Sequence, residues 1–188
     1  MAGPGTLVLV VGPSGVGKDT LIAGAKDALR GDPDFVFVRR IVTRKADVEA
    51  EDHDTMDLAS FMEAEAAGRF ALSWQAHGLS YALPVSAATD VALGRVVVAN
   101  GSRHVIAEAV RRFARCKVVL VTAEIALRAE RLSARGRETQ VEIAARLARE
   151  GPQLPEGIEP TIVDNSGTLA NGIAAFVMAL KGLSAQVA

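Results

Sequence analysis

A chain of 188 residues, 49% of them hydrophobic, suits one domain with a sizeable core and room for a small inserted segment. Its net charge of −1 offers no basic field for nucleic acid, and 4% aromatics are too few for a base-stacking platform. The single cysteine, Cys116, excludes an internal disulfide and fits a reducing cytosol as a small buried hydrophobe. The opening MAGPGT lacks the basic region of a secretion signal, and no run approaches the roughly 20 apolar residues of a membrane span. Together these features predict a soluble, cytoplasmic protein that engages neither nucleic acid nor membrane.

Strand and helix signals alternate along the chain. Residues 7–11 are continuously apolar before a glycine loop and predict a buried parallel strand. A helix is expected over 17–30, stopped by Gly31-Asp32-Pro33. Residues 35–42 predict the next strand, and the polar stretch 43–56 an exposed loop. Asp57 can cap a helix over 57–68 whose Leu58, Phe61 and Met62 share a face. Two strands, 70–74 and 80–83, flank His77-Gly78. Then follow a short helix at 86–93, a buried strand at 95–99, a helix at 102–114 and a strand at 117–121. Helices at 124–135 and 139–149 are separated by Gly136, and a last strand at 158–163 precedes a closing helix at 169–180. This order predicts an α/β fold, a mainly parallel sheet with helices on both faces. Segment 43–84 breaks the alternation and reads as an insertion at the carboxyl edge of the sheet, where such folds bind ligands.

Residues 12–20, GPSGVGKDT, carry the chemistry. Gly12, Gly17 and Lys18 fit the phosphate-binding P-loop, G-x-x-x-x-G-K-[ST], in its strand-to-helix setting. Glycines let the backbone N–H groups of the loop, formed by Gly12, Pro13, Ser14, Gly15, Val16 and Gly17 (Pro13 itself having none), point into one concavity, and the helix adds its positive end. Lys18 supplies a point charge to the β- and γ-phosphates. Asp19 stands where Ser or Thr is usual. It has two readings: an ordinary first-turn acid, or a hard oxygen ligand for magnesium. Thr20 is then the hydroxyl nearest the phosphates. ATP and Mg2+ are the expected cofactors.

Beyond the loop the chain resembles the guanylate kinase family of P-loop NTPase fold. Val42-Thr43-Arg44 matches its acceptor-phosphate grip, Gly78 and Tyr81 its acceptor segment, and RLSARG at 131–136 with Arg146 its arginine-rich lid. The departures matter. A second gripping arginine is replaced by Asp47, and the two polar groups that read guanine are Leu72 and Leu83. A buried guanine edge would lose its partners at roughly 1–3 kcal/mol per unsatisfied group. One subfamily has this combination, the ribose 1,5-bisphosphate phosphokinases of phosphonate breakdown. The segments similar to theirs are GPSGVGKDT, RRIVTR at 39–44, EDHD at 51–54, FALSWQAHGLSYALP at 70–84, VVVANGSR at 96–103 and VDNSG at 163–167.

The resemblance implies one kinase domain, with core 1–42 and 85–188, an acceptor-binding insertion at 43–84 and a lid at 128–150. It implies a small-molecule acceptor, ribose 1,5-bisphosphate, and a homodimer is compatible with it. Lys18, Arg131 and Arg135 are the expected catalytic residues. Arg44, Glu51, Asp52, Tyr81, Arg103 and Arg146 are expected at the acceptor, and Asn165 beside the adenine. Arg39 and Arg40 are either phosphate grips or a solvated basic edge, and on an alternating strand one points away. Trp74 and His77 are either sugar contacts or core and turn. His53 is either an acceptor contact or a surface residue, and Gln75 and Asn100 are candidates to hold hydroxyls or waters. Guanylate kinase, gluconate kinase and a peptide-binding module that has lost catalysis are the competing readings. Leu72 and Leu83, the lid and Lys18 respectively argue against them.

Overall fold

The computed structural model describes residues 5–43, 53–76, 78–134, 139–148 and 153–185, with the side chains of Arg146 and Ala185 excepted. Five parallel strands form the main sheet: β1 (Thr6–Val11), β2 (Phe35–Val38), β7 (Val96–Asn100), β8 (Cys116–Thr122) and β9 (Thr161–Asp164), in the order β2-β7-β1-β8-β9. All six residues of β1 are buried, as expected of a central strand covered on both faces. Its alternating side chains feed two cores. Leu7 and Leu9 join one layer, Val8 and Val10 the other.

A second sheet holds β3 (Arg40–Val42), β4 (His53–Thr55), β5 (Phe70–Ala76) and β6 (Leu79–Pro84), in the order β4-β3-β6-β5. The strand predicted over 35–42 is therefore two. It breaks at Arg39: β2 pairs with β7, while β3 turns away to pair with β4 and β6. Part of the predicted 43–56 loop is likewise strand, since His53–Thr55 lies parallel to Arg40–Val42. A run too short to show a period reads as loop in sequence and becomes strand only through its partner.

Seven helices lie among the described residues: α1 (Lys18–Ala28), α2 (Leu58–Ala66), α3 (Ser86–Ala92), α4 (Ile106–Arg112), α5 (Ile125–Ala134), α6 (Gln140–Ala148) and α7 (Leu169–Ala185). Asp57 caps α2 as predicted, accepting from Ser60 N at 3.0 Å. The shared face of α2 is narrower than predicted: Phe61 is buried with Ile41 and Ala82, whereas Leu58 and Met62 are exposed. The helix predicted over 102–114 opens as a 3-10 turn at Arg103–Val105, held by Ser102 Oγ accepting from His104 N. Helix α6 opens with a reciprocal capping box. Thr139 N donates to Glu142 Oε2 at 2.7 Å, and Glu142 N donates back to Thr139 Oγ1 at 3.3 Å. Cys116 sits in the sheet, where burial pushes its thiol up to about 11, so it packs as a hydrophobe.

No helix among the described residues is long and apolar enough to cross a membrane. The carboxyl ends of β1, β7, β8 and β9 share one edge, and the face of the small sheet carrying Leu72, Trp74 and Leu83 packs into the same core layer as Leu7 and Leu9.

Candidate active site

β1 ends at Val11, and the chain enters the loop through Gly12. Parallel β8 runs so close there that a Cβ on Gly12 would lie 2.3 Å from the Val121 carbonyl oxygen. At the other end Gly17 takes φ 87° as the residue before α1, and a Cβ there would meet Asn165 Nδ2 at 2.7 Å. Both positions thus need glycine for space as well as conformation. The Lys18 ammonium curls back over the loop, donating to Gly12 O at 2.8 Å and to Pro13 O at 3.3 Å. Thr20, two residues on, is exposed.

Asp19 finds a partner far away in sequence. Asn100 ends β7, directly paired with Val10 of β1, so its side chain reaches the start of α1. There Asn100 Nδ2 donates to Asp19 Oδ1 at 2.6 Å. Asn100 is 7% exposed, and its Oδ1 is buried with no hydrogen-bond partner. A carboxylate and an unsatisfied amide oxygen therefore sit together at the phosphate end of the helix. Hard oxygens of this kind suit a hydrated magnesium ion that takes most of its ligands from phosphates and water. No cluster of three or more His, Cys, Asp or Glu competes for that role among the described residues.

The outer wall of the loop is fastened by α5 and the turn after β9. Asn165 is buried, and its Nδ2 donates to Val16 O at 2.7 Å. Arg131 donates through Nη2 to Asn165 O at 3.0 Å and through Nη1 to Val16 O at 3.4 Å. One turn earlier Arg128 donates through Nε to Ser14 O at 3.0 Å. Arg128 is buried, which lowers its pKa, and the positive charge of Arg103 lowers it further. Arg103 follows β7, near enough for its charge to act on Arg128. The sequence reading missed Arg128. Its only signal in the sequence was its spacing, four residues before Leu132, the other buried residue of α5.

Of the residues expected at the acceptor, the small sheet carries Tyr81. Tyr81 pairs with Trp74 in register, and their rings stack with centroids 5.5 Å apart. The Arg40 guanidinium lies 5.6 Å from the Tyr81 centroid. Arg39 is turned to the other strand, donating to His53 O at 3.0 Å and pairing with Asp54 at 3.3 Å. The two adjacent arginines thus part, Arg39 at the break between β2 and β3 and Arg40 opening β3. His53 is buried, not on the surface. Thr43 locks the start of its loop to β6, its Oγ1 accepting from Ser80 N at 2.8 Å. Leu72 and Leu83 are wholly buried. A depression of about 480 Å³ opens at the hairpin tip between Leu58, Gln75, Ser80 and His104. Arg44, Glu51, Asp52, His77 and Arg135 lie outside the described residues, as does the side chain of Arg146.

A parallel sheet, a strand–loop–helix phosphate cradle and helices fastened over it define a P-loop NTPase fold. A guanylate kinase from Anaplasma phagocytophilum shares that fold with a TM-score of 0.67, over 95% of this chain and 86% of its own, at 14% identity. No protein-family model matches the chain. It is 46% identical over 182 residues to the ribose 1,5-bisphosphate phosphokinase PhnN of Brucella abortus biovar 1 (strain 9-941), covering 97% of this chain and 95% of that protein. With the protein of the same name from Methylobacterium radiotolerans the identity is 56% over 148 residues, 79% of this chain and 84% of that one. The chain belongs to the ribose 1,5-bisphosphate phosphokinase family. It is an enzyme of the kinase class, and a P-loop kinase uses a nucleotide and usually a divalent metal.

Proposed function

We propose that the chain transfers the γ-phosphoryl group of ATP to the 1-phosphate of ribose 1,5-bisphosphate, giving 5-phospho-α-D-ribose 1-diphosphate and ADP. The observation that carries this reading is the pairing of a P-loop with buried leucines, Leu72 and Leu83, at the two positions where guanine would need polar partners. The names of the relatives, at 46% and 56% identity, point the same way.

An oxygen of the acceptor's 1-phosphate attacks the γ-phosphorus, and the bond to the β–γ bridging oxygen breaks, leaving ADP. A phosphate acceptor is largely ionised near neutral pH, so no general base is needed, and catalysis is positioning plus charge neutralisation. The loop N–H groups hold the donor phosphates. Lys18 exchanges its carbonyl partners for phosphate oxygens. Asp19 and Asn100 Oδ1 would hold a magnesium ion through its waters, and such an ion would supply charge neutralisation at the donor phosphates. Arg131 fixes the outer wall of the loop, and Arg103 and Arg128 supply positive charge beside it. Arg44, Arg40 and Tyr81 draw in the acceptor, with Glu51, Asp52 and Arg146 around it, and Arg135 closes from the lid, which keeps water from the transferring group. Asn165 borders the adenine. We assign this to one kinase domain with an acceptor insertion at 43–84 and a lid at 128–150.

The test is magnesium-dependent ADP release from ATP with ribose 1,5-bisphosphate, GMP or gluconate in parallel. ADP release with the ribose bisphosphate alone, giving a product that a phosphoribosyltransferase accepts, is the expected result. Release with GMP overturns the acceptor assignment.

A further inference from the structure

Arg40, Tyr81 and Trp74 form a continuous stack across three neighbouring strands of the small sheet. The guanidinium lies 5.6 Å from the tyrosine centroid, and the tyrosine lies 5.5 Å from the tryptophan with 11° between ring planes. Trp74 and Tyr81 are register partners in β5 and β6, so the sheet itself builds the stack. Arg40 and Tyr81 are half-buried, Trp74 is 9% exposed, and Leu72 and Leu83 beside it are at 0%. The face therefore runs from a cation at its rim to a closed apolar floor, with a flat bicyclic ring between.

A nucleotide has a phosphate, a sugar and a planar aromatic base. On such a face its phosphate would go to the cation, and its base to the nearest aromatic surface, in the offset stacking that ring quadrupoles favour. Here that surface is already covered. We propose that the Trp74 indole is a built-in plug, filling the place where the base of a nucleotide acceptor would stack on Tyr81, and so restricts the acceptor to a sugar phosphate without a base. A base entering there would have to displace the indole. Its polar edge would then face Leu72 and Leu83, which offer neither donor nor acceptor. The inference rests on the acceptor reading above and deepens it, by naming what enforces the choice.

The experiment replaces Trp74 with Ala in the full chain and measures GMP binding by calorimetry, with free indole as a second probe. The expected result is GMP binding at least about 10-fold tighter than in the unaltered chain, and competition between indole and GMP for the vacated space. Trp74→Leu keeps an apolar contact in the core and takes the place of Trp74→Ala if that variant does not fold, with the same gain expected. A folded variant that binds GMP no better than the unaltered chain overturns the plug, as does tight GMP binding by the unaltered chain. Turnover of ribose 1,5-bisphosphate by the unaltered chain is measured alongside. Its absence overturns the acceptor reading whatever the Trp74 variants do, so the two failures are distinguishable.

Discussion

The two sides of the cleft are held in different ways. On the donor side, the P-loop is fastened by hydrogen bonds from residues distant in sequence: Asn165 to Val16 O, Arg128 to Ser14 O and Asn100 to Asp19. Two of these bonds end on main-chain carbonyls, so what they fix is the shape of the backbone. On the acceptor side, the residues are held by packing: Trp74 on Tyr81, Leu72 and Leu83 in the core, Arg40 over a ring. Side chains tie the backbone there too, Thr43 to Ser80 and Arg39 to His53 O, but the rings and leucines of that face are set by the volume they fill. A donor phosphate is recognised by N–H groups that any sequence can offer once the loop is shaped, whereas an acceptor is chosen by which side chains leave room.

The comparison breaks first if the donor side does not depend on its charge. Lys18→Ala is expected to lower turnover by about 10³-fold, the scale for loss of a preorganised group at a developing charge. The acceptor KM should change far less. Steady-state kinetics read both, and a comparable rise in acceptor KM would mean that Lys18 spans the two sides.

The second test concerns the pair at the start of α1. Asp19→Ser removes the carboxylate and leaves the Asn100 amide without its acceptor. Asn100→Asp sets two carboxylates together where one is held, an arrangement disfavoured by like charge. Doing both restores one carboxylate on the opposite partner. We expect each single change to weaken magnesium-dependent ATP binding, and the double variant to recover much of the loss, with a coupling of about 1–3 kcal/mol. Full turnover and an unchanged magnesium requirement in Asp19→Ser would remove this site from the mechanism.

Asn165 tests the backbone claim by stability. Asn165→Ala removes the donor to Val16 O, at about 1 kcal/mol, the low end of the range because the change also removes the unsatisfied Oδ1. Asn165→Asp loses the donor and sets a charge against the same carbonyl, so its melting temperature should fall further. Melting temperatures equal to that of the unaltered chain in both variants would show that the bond to Val16 contributes nothing.

Legibility in the sequence follows the same division. Gly12, Gly17 and Lys18 announced the loop because spacing, strand and helix all agree at one place. The alternation of strands and helices gave the parallel sheet for the same reason. The break at Arg39 was illegible, because 35–42 reads as one apolar-rich run and only the pairing of Ile41 with Ala82 and of Val42 with Tyr81 divides it. Asn100 and Asp19 are 81 residues apart, and no local pattern joins them. Arg128 looked like any surface arginine of an amphipathic helix until α5 was seated on the loop. Trp74 stood open between core and sugar contact, and it is buried in the core cluster with Leu72 and Leu83.

The smallest expected effect separates Arg39 from Arg40. Both lie at the rim and both carry the same charge, but Arg39 is tied to His53 O and Asp54 while Arg40 lies over Tyr81. The side chains of the Arg39–Asp54 pair are 49% and 57% exposed, so the pair contributes at most about 1 kcal/mol, and less in salt. Arg39→Ala should therefore shift the melting temperature slightly and leave the acceptor KM within about two-fold. Arg40→Ala should raise that KM several-fold, since Arg40 lies over Tyr81, the residue proposed to contact the acceptor. If the two variants raise it equally, the rim is a diffuse basic edge, and the acceptor side selects by charge as well as by the volume its packed side chains leave.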